Sequence, residues 1–385
     1  MFLLEHSLLL IKHVLGLSDT TIKTIELVRM KNLLFITTDF NYSSGVTRHV
    51  INLLNDTGRW NGYNLFFMSN GGDAINEIKK TNVKTVFEIH YGKGNIKYTY
   101  FIHNYIKILS VILDYKIDIV HTHHRYPELL ASLIPFRKFK LISTVHSKVQ
   151  KWNYLSFRSD LLISVSHAVK NHIIQKYSTT PSKVVVVYNY LSCYKNEAEK
   201  IKKNDLLKPE SKSEMKKVLF VGRLCYTKGV DILIKAVNEL KNRMLLDLVL
   251  VGKIEEEFES ELDNLDVSIT KIFEPVADIS KYYLTTDIVV LPAREDPFPY
   301  VMLEAGLFMK PFIGSNVDGI AEFIDDGVNG LLFNKDDHLD LADKIEFLFA
   351  NRPLAQKMSL ELFNKVENVC CKKTYLEILK QFYEK

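Results

Sequence analysis

The stretch that decides the fold runs from Asp287 to Gly306, DIVVLPAREDPFPYVMLEAG. Ile288 to Leu291 is short, apolar and β-branched, the pattern of a strand buried on both faces of a parallel sheet. Pro292 ends it, because proline has no N–H to give a ladder. The loop Arg294-Glu295-Asp296-Pro297-Phe298-Pro299 is acidic and proline-spaced, and helix formers follow from Tyr300 to Phe308 without a breaker until Lys310-Pro311. Acidic groups therefore stand at a strand's carboxyl end and on the next helix. Open α/β sheets bind ligands there, because the loops fan apart and helix amino termini point into the gap.

Asp296 and Glu304 are separated by at most about 12 Å of helical rise. One small group cannot satisfy both. A ligand with two separate sets of hydroxyls around an anionic centre could, with a carboxylate taking each set and backbone N–H groups facing the anion. A nucleotide-sugar has that layout. The competing explanation is an acidic loop that only caps its helix, with Glu304 solvated.

Working outward, 385 residues exceed one typical core, so two domains are expected, and 47% hydrophobic with 25% charged residues is ordinary globular composition. The net charge of +4, spread over 50 basic and 46 acidic residues, is too balanced to indicate nucleic acid. Cysteines at 193, 225, 370 and 371 form no CxxC pair and no metal spacing, which fits a reducing compartment without structural disulfides. Residues 1–29 are apolar at first but broken by Glu5, His6, Lys12 and His13, too short for a membrane span and without a basic leader or small-residue cleavage site. They read as an amphipathic extension, with a membrane-surface helix as the sharper alternative.

From Leu33 the chain alternates. LLFITT predicts a strand, DFNYSSGVTRH a loop turning into a helix that runs through Leu54, and Gly45 at that turn would let backbone approach a phosphate or sugar closely. Strands are predicted at 64–69, 84–88 and 117–120, with a helix over 96–113. The last of these strands leads into His121-Thr122-His123-His124. A zinc reading of these histidines lacks an acidic or cysteine partner at familiar spacing, so a polar cleft or local backbone contacts are preferred. The next strand, 141–145, ends in His146 and Ser147, where a histidine can donate to a sugar hydroxyl, act as a base, or serve only structure. A strand at 161–165, a helix to Lys176 and a strand at 183–187 complete the first half.

The pattern breaks from Asn189 to Lys217, where KNEAEKIKKNDLLKPESKSEMKK (195–217) mixes lysines with acids and reads as a solvated connector; with no aromatics interleaved in that stretch, a nucleic-acid patch is the weaker interpretation. The second half restarts at Val218. Its first loop, Gly222-Arg223-Leu224-Cys225-Tyr226-Thr227-Lys228-Gly229, puts two cations before a helix from Val230, a good diphosphate clamp unless both are only solvated. It is not a GxxxxGK[ST] loop, which disfavours a nucleoside triphosphatase. Further strands at 248–251, 269–273, 312–314 and 331–333 and helices at 279–286, 319–325 and 338–350 follow, and a long C-terminal helix ends the chain.

These motifs together resemble the retaining family-4 glycosyltransferases (glycosyl transferases group 1) of the GT-B fold. The resemblance is carried by Gly222-Arg223-Leu224 with Lys228-Gly229, by Asp296 to Ala305, and by Gly319-Ile320-Ala321-Glu322 with Asn329-Gly330-Leu331. The first half matches more loosely, through Ser44-Gly45-Val46, Thr144-Val145-His146 and Ser164-Val165-Ser166.

The resemblance implies an α/β chain of two Rossmann-like domains whose parallel sheets face each other across a cleft. The layout expected is an extension at 1–29, an acceptor-side domain at 30–190, a connector at 191–216, a nucleotide-sugar domain at 217–360, and a C-terminal helix at 361–385 packing back toward the first domain. It implies that Gly222, Arg223 and Lys228 hold the donor diphosphate, that Glu304 takes the ribose hydroxyls, and that Asp296 meets the donor sugar beside Phe298, Tyr300 and Val301. His146 would face the sugar from the other domain, and Gly45 would leave room for the diphosphate. The family usually carries Glu then Gly where this chain has Asp296 and Pro297, so Glu295 is a further candidate. His146 and Asp296 are the catalytic candidates. No metal and no cofactor is expected, since cations and helix dipoles can neutralise the leaving group.

The implied activity is metal-independent transfer of a sugar to a hydroxyl of a glycan or lipid-linked acceptor, with retention, in cell-envelope polysaccharide synthesis. The implied location is cytoplasmic, with peripheral contact on the inner face of the membrane. A sugar-nucleotide epimerase on the same architecture and a non-catalytic sugar-nucleotide-binding protein are the alternatives. A dinucleotide oxidoreductase is disfavoured because no GxGxxG follows a strand.

Overall fold

The computed structural model describes residues 30–90, 97–150, 155–192, 215–276 and 278–384. The N-terminal extension, most of the connector and Cys193 lie outside them.

The first domain contains β1 (Lys31–Ile36), α1 (Gly45–Thr57), β2 (Tyr63–Ser69), α2 (Ile75–Ile78), β3 (Val83–Glu88), α3 (Lys97–Asp114), β4 (Ile119–Thr122), α4 (Arg125–Ser132), β5 (Lys140–Val145), β6 (Leu161–Ser164), α5 (His167–Tyr177) and β7 (Val184–Val186). Its strands form one sheet in the order β3-β2-β1-β4-β5-β6-β7, and every pairing is parallel. The inner strands are fully buried because helices cover both faces, which is why the sequence reads as apolar runs rather than alternation.

The second domain contains β8 (Lys216–Val221), α6 (Val230–Leu240), β9 (Leu246–Val251), β10 (Thr270–Phe273), α7 (Ser280–Thr285), β11 (Ile288–Leu291), α8 (Tyr300–Leu307), β12 (Phe312–Ser315), α9 (Asp318–Phe323), β13 (Leu331–Phe333), α10 (His338–Ala350), α11 (Arg352–Val369) and α12 (Lys372–Glu384). Its sheet is also wholly parallel, in the order β10-β9-β8-β11-β12-β13. The chain is thus α/β with two Rossmann-like domains. Each sheet reverses its winding between two central strands, β1 and β4 in one and β8 and β11 in the other, and such a switch point opens a crevice beyond the strands' carboxyl ends.

Three sequence expectations change. The strand expected at 117–120 is β4, two residues later, because Lys116 takes a left-handed φ of 48° to close α3 and pairing starts only at Asp118, whose N–H reaches Asn32 O. His121 therefore lies inside a strand and in the core. Helix α4, directly after the histidines, has no counterpart in the sequence reading; its sequence RYPELLAS carries a proline in the first turn, which tolerates it. The long C-terminal helix is two helices: Cys370 is buried and takes non-helical φ and ψ, the chain turns, and α12 crosses to the first domain. There Tyr375, Leu379 and Tyr383 join the core of Leu33, Phe35 and Val50. Lys31 and Lys140 donate to the carbonyls of Tyr383 and Phe382, a favourable place for cations at a helix carboxyl end.

Candidate active site

A cavity of about 570 Å³ lies between the domains, at the carboxyl ends of both sheets. From the second domain Gly222, Arg223, Lys228, Glu295, Asp296, Phe298, Tyr300 and Val301 line it. From the first come Gly45 and His146, joined by His124 and Asn189. Glu304 lines an adjoining cavity of about 110 Å³ that shares Gly45, Gly222, Tyr300 and Val301 with the larger one. The structure thus brings together every site residue named from the sequence.

The loop after β8 and the loop after β11 are built as one unit. Gly229 sits at a φ of 69°, and a Cβ there would lie 1.8 Å from Pro292 O, so only glycine lets the two loops touch. Arg294, which sequence reasoning did not select, clamps them. Its guanidinium donates to both carboxylate oxygens of Asp231, at 2.7 and 2.8 Å, and to Tyr226 O at 2.6 Å. Lys228 and Asp296 are held by this frame, and their side chains pair at 2.5 Å. Arg223 pairs with Glu255 at 3.2 Å near the cavity's outer edge.

Two helix amino termini converge on the cavity. α1 begins at Gly45 and α8 at Tyr300, and neither first turn contains an acidic residue or a side-chain cap. Their N–H groups and dipoles favour a negatively charged ligand between them. Glu304 lies one turn into α8 and is only 2% exposed; it accepts a hydrogen bond from Tyr283 at 2.8 Å, with Arg48 of the first domain 3.8 Å away. Burial raises its pKa, against the lowering effect of Arg48 and the Tyr283 hydrogen bond.

The histidines form a stack behind the cavity. His121 and His123 lie 4.5 Å apart between ring centroids, His123 and His146 5.5 Å. His123 Nδ1 and His146 Nε2 are 3.2 Å apart, so one donates to the other. Burial lowers all their pKa values: His49 and His124 to about 4, His121 to about 3, and His123 and His146 well below the ordinary value. They are neutral at physiological pH. The Thr38 N–H donates to His124 Nδ1 at 3.1 Å, which places the proton of neutral His124 on Nε2. Of the 121–124 cluster only His124 reaches the larger cavity.

Ring nitrogens of His49, His123 and His146 lie within 4.8 Å of one another, close enough for a cation to be shared. Both nitrogens of His49 are already engaged, however: Nδ1 faces the Tyr300 hydroxyl at 3.0 Å and Nε2 the Tyr375 hydroxyl at 3.2 Å. The group also contains no carboxylate to offset a buried double charge. Sequence reasoning missed Arg48 and His49. The signal was present in Ser44-Gly45-Val46-Thr47-Arg48-His49, where both follow a helix start by one turn.

Residues 43–192 match the model of Glycosyltransferase Family 4, and residues 201–361 match that of Glycosyl transferases group 1. An uncharacterized glycosyltransferase of Methanocaldococcus jannaschii is 28% identical over 83% of this chain and 88% of its own length. The crystal structure of a glycosyltransferase from Rickettsia africae superposes with a TM-score of 0.74 at 23% identity, over 92% of this chain and 98% of that one. Anabaena HepE in complex with UDP-glucose gives a TM-score of 0.74 at 16% identity, over 92% and 99%. With both halves of the chain matched to sugar-transferring families and both sheets arranged around one cleft, this protein belongs to the GT-B glycosyltransferases and is a glycosyl-transferring enzyme of class EC 2.4.

Proposed function

We propose that the enzyme transfers a sugar from a nucleoside diphosphate sugar to a hydroxyl of a glycan or lipid-linked acceptor, with retention of anomeric configuration and without a metal ion. The observation that carries this is the single cavity in which Arg223 and Lys228 face Asp296 and His146, flanked by the amino termini of α1 and α8. Arg223, Lys228 and the two helix termini would neutralise the diphosphate as it leaves. Glu304 would take ribose hydroxyls in the adjoining cavity. Asp296, with Glu295 beside it, would take hydroxyls of the donor sugar, and His146 would fix that sugar from the opposite wall. Retention then follows if the acceptor attacks the face the diphosphate leaves, with a phosphate oxygen accepting the acceptor's proton.

HepE was crystallised with UDP-glucose, so UDP-sugars are the first donors to test. No helix among the described residues is long and apolar enough to cross a membrane, and a lipid-linked acceptor would be met at the cytoplasmic membrane face.

A thermal-shift panel of nucleoside diphosphates and their sugars, run in excess chelator, tests the donor and the metal together. One nucleotide-sugar should stabilise the wild type, and Lys228→Ala and Glu304→Ala should abolish the shift. Proton NMR of the product should show the donor's anomeric configuration. A panel without a hit, or an inverted product, overturns this function. Conversion of the sugar-nucleotide without acceptor would point to an epimerase instead.

A further inference from the structure

The motif Gly319-Ile320-Ala321-Glu322 belongs to the sequence resemblance, yet it does not line the cavity. It forms α9, and the contacts of α9 reach the first domain. The Glu322 carboxylate accepts from the N–H groups of His167 at 2.9 Å and Ala168 at 3.1 Å, the first two residues of α5. It also accepts from the Tyr188 hydroxyl at 2.7 Å. The first N–H groups of any helix lack partners within it. In α5 the third is taken by its own Ser166 side chain, which accepts from Val169, while the first two are taken from the other domain. A carboxylate is the best acceptor for that position, because the helix dipole adds to two charge-assisted hydrogen bonds.

The other end of α9 is tied as well. Lys148, two residues after His146, pairs with Asp318 at 2.6 Å. Asp318 holds a left-handed φ of 43°, a conformation aspartate adopts more readily than most side chains, and the Lys148 pair fixes it there. Beside it Gly319 is jammed against the donor loop: a Cβ there would stand 2.0 Å from Pro297 O, and its N–H reaches Asp296 O at 3.2 Å. Tyr188, the third donor to Glu322, stacks on Phe298 of the same loop at 4.7 Å and 17°. One short helix thus joins the first domain to the backbone of Asp296, Pro297 and Phe298.

We propose that Glu322 is a positioning residue: by capping α5 from across the cleft it holds the two domains closed, and through α9 it seats the donor loop in its working position. This rests on the proposed transfer reaction. On this proposal, opening the cleft separates the carboxylate from both backbone donors, so the contact stabilises the closed arrangement selectively. Closure excludes water. Loss of the cap should therefore let water replace the acceptor, its oxygen bonding the anomeric carbon as the bond to the diphosphate breaks and one of its protons passing to the leaving phosphate oxygen.

The test uses full-length wild type, Glu322→Ala, Glu322→Gln and Tyr188→Phe. Small-angle scattering with the stabilising nucleotide-sugar bound gives the degree of closure, product analysis gives the ratio of transfer to hydrolysis, and titration gives affinity for UDP alone. Removing a charge-assisted cap should shift the closure equilibrium by roughly tenfold to a hundredfold. Glu322→Ala should scatter as a more extended particle and lose transfer relative to hydrolysis by a comparable factor, with UDP affinity changed less than about threefold. Glu322→Gln, which keeps one acceptor oxygen, should fall between. Scattering and product ratio equal to wild type overturn the proposal, and so does a loss of UDP affinity that matches the loss of transfer, since that is damage confined to the second domain. If Glu322→Ala does not fold, Tyr188→Phe, one hydroxyl smaller, decides by the same readouts. A wild type that transfers nothing refutes the proposed reaction instead, and scattering alone then tests the clasp.

Discussion

Lys228 and Asp296, from two different loops of the second domain, are each other's ion-pair partners at 2.5 Å in the wall of the cleft. The sequence assigns them opposite partners on one ligand, phosphate for the lysine and sugar for the aspartate. They meet because the frame made by Gly229 and Arg294 fixes the two loops together. Asp296 is only 5% exposed, and Lys228 is the cation that meets its carboxylate there.

Removing Lys228 leaves the nearly buried Asp296 without its counter-ion, and removing Asp296 leaves the partly exposed lysine without its own, whereas removing both leaves neither. Lys228→Ala and Asp296→Ala should each destabilise the fold, and the double variant should lose less than the two losses added, with a coupling of about 1–3 kcal/mol. Urea denaturation of the four proteins measures it. Strict additivity would show that solvent already screens the pair.

The histidine stack makes stability depend on acid. Unfolded imidazoles titrate near 6.5, while in the fold burial holds His49 and His124 at about 4 and His121 at about 3. Between pH 6.5 and 4 the unfolded chain therefore binds more protons than the folded one. Their contribution is complete above pH 6.5 and is lost as pH falls through that window. Urea midpoints from pH 7.5 to 5 should fall steeply, and His121→Gln should flatten the slope by up to about 1.4 kcal/mol per pH unit. A midpoint that does not move over that range contradicts the buried, neutral stack.

At Gly229 the left-handed backbone and the contact with Pro292 act together. Gly229→Ala should cost about 2 kcal/mol or more and weaken nucleotide binding, because the loop carrying Lys228 must move off its neighbour. The melting temperature and UDP affinity report both effects. An unchanged pair of values would mean the two loops part freely.

Tyr383 closes the core of the first domain from the far end of the chain. Its hydroxyl bonds His121 Nδ1 at 2.5 Å, and its ring is buried against Trp60 and Tyr63. Tyr383→Phe should lose about 1–3 kcal/mol by leaving that nitrogen unpaired, and Tyr383→Ala about 3–5 kcal/mol by opening a cavity. Calorimetry of both variants separates the hydroxyl from the ring.

What the sequence determined by itself was local. The run Ile288 to Leu291, its proline stop and the breaker-free helix after Pro299 give β11 and α8 within a residue, because a parallel strand and its following helix are written in consecutive residues. The same holds for the placement of Arg223 and Lys228 beside the cavity, since one loop carries both and their spacing is read directly from it. Tertiary structure alone decided which of these groups face one another. His49 between Tyr300 and Tyr375, Arg48 opposite Glu304, and Glu322 capping α5 join residues more than 150 positions apart. No periodicity records such contacts, because they follow from how two sheets and a returning helix pack. The placement of His121 went the same way: one left-handed residue, Lys116, shifted a strand by two positions and moved a histidine from the expected cleft into the core.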